Sequence, residues 1–186
     1  EAEWSGGEYM LQQKVCKALT TRQLDFDLIP QDTLRGASTV RDGRLAVNEE
    51  TYGALVVPYS QYLPEALLLR MEELAAAGLP VLFVDGYPDA ASEQRSIAGK
   101  LTHCAVVPLA QLADTLTGAG LRSVAAADEV PLRFYHIQRG GRDLYMLWNE
   151  DAANGFDTRV TLPGSGAAVF YDAWNNRLAR AQTEGG

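Results

Sequence analysis

The run VLFVDGYPD (Val81–Asp89) carries four apolar residues into an acid, a glycine, a tyrosine and a proline. This pattern is a buried strand entering a turn. Where parallel strands alternate with helices, chemistry sits just beyond the carboxyl ends of the strands. An enzyme with a covalent intermediate puts Cys or Ser at such a strand-to-helix turn. This turn offers Asp85 and Tyr87 instead. Both are ligand-binding candidates. The plainer reading, which is favoured, makes Asp85 a turn-former and Tyr87 a packing residue at the sheet rim. The neighbouring run VVPYSQYLP offers Ser60, but Tyr59 and Gln61 flank it where a nucleophile elbow would need glycines, so it reads as a loop or helix-entry serine.

The other reactive residue types are scattered. Cys104 lies in an apolar strand pattern and reads as a small core residue, with His103 at the strand entrance. His136 reads as a hydrogen-bonded packing residue. Two histidines without metal-ligand spacing make no metal site, and no glycine-rich phosphate loop or other cofactor motif is present. The GSG at 164–166 simply joins two strands. Paired carboxylates could serve a glycosidase. Glu49-Glu50 and Glu72-Glu73 are adjacent in sequence, however, and read as solvated faces, the second as helix surface. Trp148, Tyr171 and Trp174 could form a sugar-stacking platform, with core and rim packing the favoured alternative. No catalytic residue is assigned. The weak binding candidates are Asp85, Tyr87, Trp148 and Trp174.

These residues are positioned by an alternating pattern. Helices are expected over Gly6–Gln23, Leu63–Gly78, Ser92–Leu101 and Leu109–Gly120. Unbroken apolar strands are expected in DFDLIP (Asp25–Pro30), YGALVVP (Tyr52–Pro58), LPVLFVDG and HCAVVP (His103–Pro108), with a small hairpin in RDGRLAVN (Arg41–Asn48). Such strands imply a parallel sheet covered on both faces. After about Asp128 the pattern becomes antiparallel β. Gly140-Gly141 marks a two-residue hairpin turn that sets Arg133 opposite Trp148, Phe134 opposite Leu147, Tyr135 opposite Met146 and His136 opposite Tyr145. Both hairpin faces are apolar in the middle, so both are expected to be covered. Thr158–Pro163 and Ala167–Arg180 add strands, the second around Asn175-Asn176. The expected domains are 1–128 and 129–186.

A net charge of −8 over 186 residues disfavours a nucleic-acid binder or a partner for an anionic membrane. Two distant cysteines give no disulfide framework. The compartment is left open, with a lean toward the reducing cytoplasm. No strand precedes the first helix, and the last strands are too few to close a sandwich. An interior segment of a longer protein is therefore expected.

The segments EAEWSGGEYMLQQKVCKAL, LDFDLIPQDTL, YGALVVPYSQYLPEALLLRMEELAAAGLPVLFVDGYP and RFYHIQRGGRDLYMLWNE resemble the C-terminal part of large bacterial glycoside hydrolases, rhamnosidase-like or β-galactosidase-like. That resemblance implies a class I glutamine amidotransferase-like, flavodoxin-type three-layer domain, its first strand missing here, followed by a β-sandwich segment. It implies a non-catalytic accessory role, with glycosidic bonds cut by a catalytic barrel outside this chain. The implied partners are the upstream catalytic domain of the same parent, homo-oligomer contacts and carbohydrate. EAEWSGG would be the loop leading into the first helix. The competing readings are a carbohydrate-binding module acting through the β unit and a free-standing amidotransferase-like enzyme using Cys104 or Asp85.

Overall fold

A computed structural model describes residues 10–92, 95–164 and 167–183. The EAEWSGG stretch, Glu93 and Gln94 of the third expected helix, and Ser165 and Gly166 of the GSG link lie outside the described residues. The chain divides into two compact units, Glu1–Ser123 and Val124–Gly186. The division falls slightly ahead of Asp128.

The first unit is mixed α/β. Its elements in order are α1 (Leu11–Thr21), α2 (Gln31–Gly36), β1 (Ser38–Arg41), β2 (Arg44–Val47), β3 (Glu50–Tyr52), β4 (Leu55–Val57), β5 (Tyr62–Leu63), α3 (Glu65–Ala76), β6 (Val81–Val84), β7 (Ala90–Ala91), β8 (Ala105–Val107) and α4 (Leu109–Gly118). The parallel ladder runs β4-β6-β8, with Val56 beside Leu82 and Phe83 beside Val106.

Strand alternation sorts the side chains between two cores. Val57, Val81 and Phe83 pack with Leu68, Met71 and Leu74 of α3. Val56, Leu82 and Val84 pack with Val15 and Leu19 of α1 and with Leu112 and Leu116 of α4. Helices therefore cover both faces of the sheet, as continuous apolar strands require. A three-stranded antiparallel meander, β1-β2-β3, adds Leu45 and Val47 to the first core. Its Asp42-Gly43 turn has positive φ at both residues, 52° and 73°, the backbone that a two-residue hairpin turn demands.

Two expected elements do not form. Asp25–Pro30 carries no strand. A strand would turn Phe26 and Leu28 to one face, but Phe26 packs on one core, Ile29 on the other, and Leu28 is 78% exposed. Phe26 and Ile29 could face opposite cores from a strand as well; the departure is Leu28, which period-two alternation would bury beside Phe26. The segment is held instead by Tyr52, whose hydroxyl donates to Asp27 at 2.7 Å. Strand β4 is consequently an outer strand of its ladder. The helix expected over Ser92–Leu101 is likewise absent from its described residues. The Ser92 N–H donates to the Leu63 carbonyl, extending the contacts of the short parallel β5/β7 pair.

The second unit contains β9 (Ala125–Ala126), β10 (Leu132–Arg139), β11 (Arg142–Asn149), β12 (Val160–Thr161), β13 (Val169–Asp172) and β14 (Arg177–Arg180). They form three separate antiparallel pairs, β9/β12, β10/β11 and β13/β14. The β10/β11 register matches the sequence expectation at all four pairs, because Gly140 and Gly141 adopt φ 58° and 71°. The expectation that both hairpin faces are covered fails. Phe134, His136, Tyr145 and Leu147 are half-buried, while Tyr135, Ile137, Leu144, Met146 and Trp148 are exposed. Among the described residues of this unit, only Val124 and Leu132 are buried apolar side chains.

Candidate functional site

At the sheet's carboxyl end, the expected place for chemistry, Asp85, Tyr87 and Ser60 are engaged in contacts within the fold. Asp85 adopts left-handed φ, 62°. This conformation lets its N–H donate to the Val107 carbonyl at 2.9 Å while Oδ1 accepts the Leu109 N–H at 2.7 Å. Asp85 thus joins the ends of β6 and β8 and places its carboxylate on the first turn of α4, where an anion is favoured. Tyr87 sets its ring edge-on to Phe83, centroids 5.2 Å apart, and donates its hydroxyl to the Cys104 carbonyl at 2.7 Å. Burial, then the neighbouring Cys104 and Glu72, push the phenol above its usual range. Ser60 donates to the Tyr62 carbonyl at 2.9 Å, the contact of a loop serine. Beside this turn lies an open hollow of about 280 Å³, lined by Tyr87, Asp89, Ser96, Ile97 and Leu101 among others.

The densest polar cluster sits at the opposite end, ahead of β8. Glu72 accepts the Thr102 N–H at 3.0 Å, the Thr102 hydroxyl at 2.6 Å and the His103 N–H at 3.1 Å. His103 Nδ1 lies 2.7 Å away and the Cys104 thiol 3.5 Å away. Burial works to raise the Glu72 pKa, but the hydrogen bonds from Thr102, His103 and Cys104 outweigh it and hold the carboxyl at about 2. The same arrangement acts oppositely on the thiol. Burial, then the hydrogen bond and charge of Glu72, push Cys104 up to about 12. A thiol that stays protonated at neutral pH is not an activated nucleophile. Cys104 is buried, as its apolar surroundings in the sequence suggested.

Sequence reasoning misplaced Glu72. It is not helix surface, since its side chain is only 16% exposed, while Glu73 is the solvated member of the pair and binds Arg70. The missed signal is helical spacing. Glu65 and Glu72 stand seven apart, and the stripe between them includes Leu68, so both acids fall on the packed side of α3. Glu65 is also 16% exposed and holds Arg95 at 2.6 Å and Lys100 at 2.5 Å. The two carboxylates together clamp residues 95–104 onto α3. This clamp fixes the loop that sequence reasoning made a helix.

The second unit holds the aromatic candidates. Trp148 and Trp174 lie on different hairpins, and Tyr171 shares the Trp174 hairpin. Trp174 is 97% exposed. Its turn is built by Asp172, which accepts the Trp174 N–H at 3.0 Å, the Asn175 N–H at 3.2 Å and the Asn175 amide at 2.7 Å. The same Asp-Ala-X-Asn device recurs at Asp151–Asn154 after β11. His136 stacks on Tyr145, centroids 4.3 Å apart, and pairs through Nε2 with Asp143 at 2.9 Å. It is a packing residue of the hairpin.

Among the described residues, no group of three or more His, Cys, Asp or Glu side chains could hold a metal ion, and no helix is long and apolar enough to cross a membrane. Comparison with protein families, curated proteins and solved structures gives no significant match for this chain.

Proposed function

We propose that this chain is a non-catalytic accessory segment of a larger carbohydrate-active glycoside hydrolase. In this reading the α/β unit is an amidotransferase-like, flavodoxin-type domain whose first strand would lie beside the outer edge of β4. The β unit is part of a sandwich completed elsewhere, and the bond-cleaving carboxylates belong to an upstream barrel. The observation that carries the proposal is the use of Asp85. The strand-end turn keeps the position of a catalytic site but spends its carboxylate on the start of α4, and the thiol at the opposite end of the sheet is held protonated. The genomic sequence flanking this chain tests the proposal directly. A catalytic barrel encoded upstream in the same reading frame is expected, and an unrelated reading frame there would end the proposal. The purified chain is expected neither to hydrolyse aryl glycosides nor to release ammonia from glutamine. Turnover lost on changing Asp85 or Cys104 would replace this reading with the free-standing enzyme.

A carbohydrate-binding role for the β unit is the second reading, and the 97% exposure of Trp174 favours it. Exposed indole faces stack on sugar rings. Calorimetric titration with oligosaccharides, abolished by Trp174→Ala, would establish that role.

A further inference from the structure

Asn154 is the only asparagine in the chain that a glycine follows. It closes the exposed Asp151–Asn154 loop after β11. Asp151 Oδ1 accepts the Ala153 N–H at 2.8 Å and the Asn154 N–H at 3.1 Å, and Oδ2 accepts the Asn154 carboxamide Nδ2 at 2.9 Å. The Asn154 carbonyl accepts Asn149 Nδ2 at 2.6 Å, which ties the loop to the last residue of β11. Gly155 has no conformational reason to be glycine. Its φ lies outside the left-handed region, and a Cβ placed on it would meet nothing within 4 Å. The backbone there would accept a side chain. What the missing side chain does is chemical: the Gly155 nitrogen stays uncrowded next to the Asn154 carboxamide.

We propose that Asn154 is a self-modifying site, whose side chain cyclises onto the Gly155 nitrogen and is converted irreversibly to aspartate or isoaspartate, with Asp151 as the tether that sets the rate. The Gly155 nitrogen attacks Asn154 Cγ. A Cγ–N bond forms, the Cγ–Nδ2 bond breaks, and Nδ2 leaves as ammonia with the proton from Gly155. Water then adds to the cyclic imide. Opening at one carbonyl gives aspartate. Opening at the other gives isoaspartate, in which the main chain runs through the former side chain. No oxidant or reductant is consumed. The departing Nδ2 is the atom that Asp151 holds, so the loop has to release it first. Hydrogen bonds from Asn154 and Ala153 hold the Asp151 carboxyl below its usual range, which keeps the tether ionised at neutral pH. Release is a local opening, and such openings are frequent where few apolar side chains are buried. Val124 and Leu132 are the only buried apolar side chains among this unit's described residues. The Asp172–Asn175 loop is an internal control. Asp172 holds Asn175 in the same way, but the next residue, Asn176, has a side chain that crowds its nitrogen. Conversion changes the first loop permanently. A carboxylate at position 154 replaces the donor facing Asp151, and the like charges repel. In the isoaspartyl form the extra main-chain carbon also displaces the carbonyl that Asn149 holds. The β unit thus carries a clock at the base of β10/β11. The proposal is independent of the accessory role, and its failure would leave that role standing.

The test is peptide mapping of the full chain by mass spectrometry during storage at neutral to mildly alkaline pH, with fragmentation that separates aspartate from isoaspartate. Conversion is expected at Asn154 ahead of Asn48, Asn149, Asn175 and Asn176, and faster as pH rises. Gly155→Val, which the open space accommodates, is expected to slow it about tenfold or more, because a β-branched side chain crowds the attacking nitrogen. Asp151→Ala is expected to speed it severalfold, toward the rate of the chain unfolded in urea. A native chain intact at Asn154 when the urea-unfolded chain has fully converted overturns the proposal. So does conversion of Asn175 before Asn154, a Gly155→Val rate equal to wild type, or an Asp151→Ala rate no faster than wild type. Circular dichroism confirms that each variant is folded. Should Asp151→Ala fail to fold, wild type and Gly155→Val still decide the question.

Discussion

The two units solve the burial problem differently. Unit one closes two apolar cores over a three-stranded sheet, and its largest fully buried side chain is Phe83. Unit two reaches its expected strand pairing with almost no core, burying only Val124 and Leu132 among its described apolar residues. Its ladders rest on turn chemistry: two glycines in β10/β11 and an Asx-type loop in β13/β14. An isolated two-stranded hairpin is marginal in water. Backbone pairing and burial are therefore separable in this chain. Local residues can dictate a register without supplying the apolar cover that makes it stable.

The contrast can be broken or sharpened by substitution. The largest effect is expected in the first unit. Phe83→Ala should cost ~3–5 kcal/mol in urea unfolding, the usual range for a buried aromatic truncated to alanine. A cost near 1 kcal/mol would show that this core is no better closed than the second unit.

Glu72 comes next. Glu72→Gln weakens the acceptor for several donors and should cost ~1–3 kcal/mol at neutral pH. The pH dependence has a definite sign. The folded-state value of about 2 lies below the ordinary 4.5, so the ionised carboxylate is the stabilising form. Its contribution is complete above about pH 4.5 and disappears as pH falls toward 2. Urea melts between pH 6 and 2 should show wild type losing more stability than Glu72→Gln. Parallel curves would assign the clamp to Glu65 alone.

Phe134→Ala probes the inner face of the second unit. A core position would cost ~3–5 kcal/mol, but the side chain is half-buried, and ~1–2 kcal/mol is expected. Full core cost would mean that this face is better covered than the side chain's burial indicates. The smallest effect belongs to the outer face. Tyr135→Thr should change stability by less than ~0.5 kcal/mol, as exposed substitutions usually do. Hydrogen exchange is the whole-chain version of the comparison. Amides of β6 should exchange far more slowly than those of β10 and β11, because protection follows local burial.

Much of this was legible in the sequence, for a consistent reason. Helices α1, α3 and α4, strands β4, β6 and β8, the Asp42-Gly43 and Gly140-Gly141 turns and the hairpin register all follow from rules that act within a few residues. Apolar period, a proline or glycine at an element's end, and positive φ at a turn need no distant partner. The burial of Cys104 was legible too, from its apolar neighbours.

What only the tertiary structure decided depends on residues far apart. DFDLIP has strand composition, but Leu28, which alternation would bury beside Phe26, is left exposed, and Tyr52 from a distant strand holds the segment through Asp27. Ser92–Leu101 has a helix-like opening, yet Glu65 holds Arg95 and Lys100, and a chain bound at both points follows its anchors rather than its propensity. Asp85 could have been a ligand group or a cap until the Leu109 N–H, 24 residues away in sequence, claimed its carboxylate. Adjacent acids usually are solvated, and only the contacts with Thr102 and His103 leave Glu72 mostly covered. The sequence by itself determined the elements and turns whose partners are neighbours. The fold decided the fate of each polar group whose partner is remote, because such a group costs free energy on burial unless the chain returns a matching donor or acceptor.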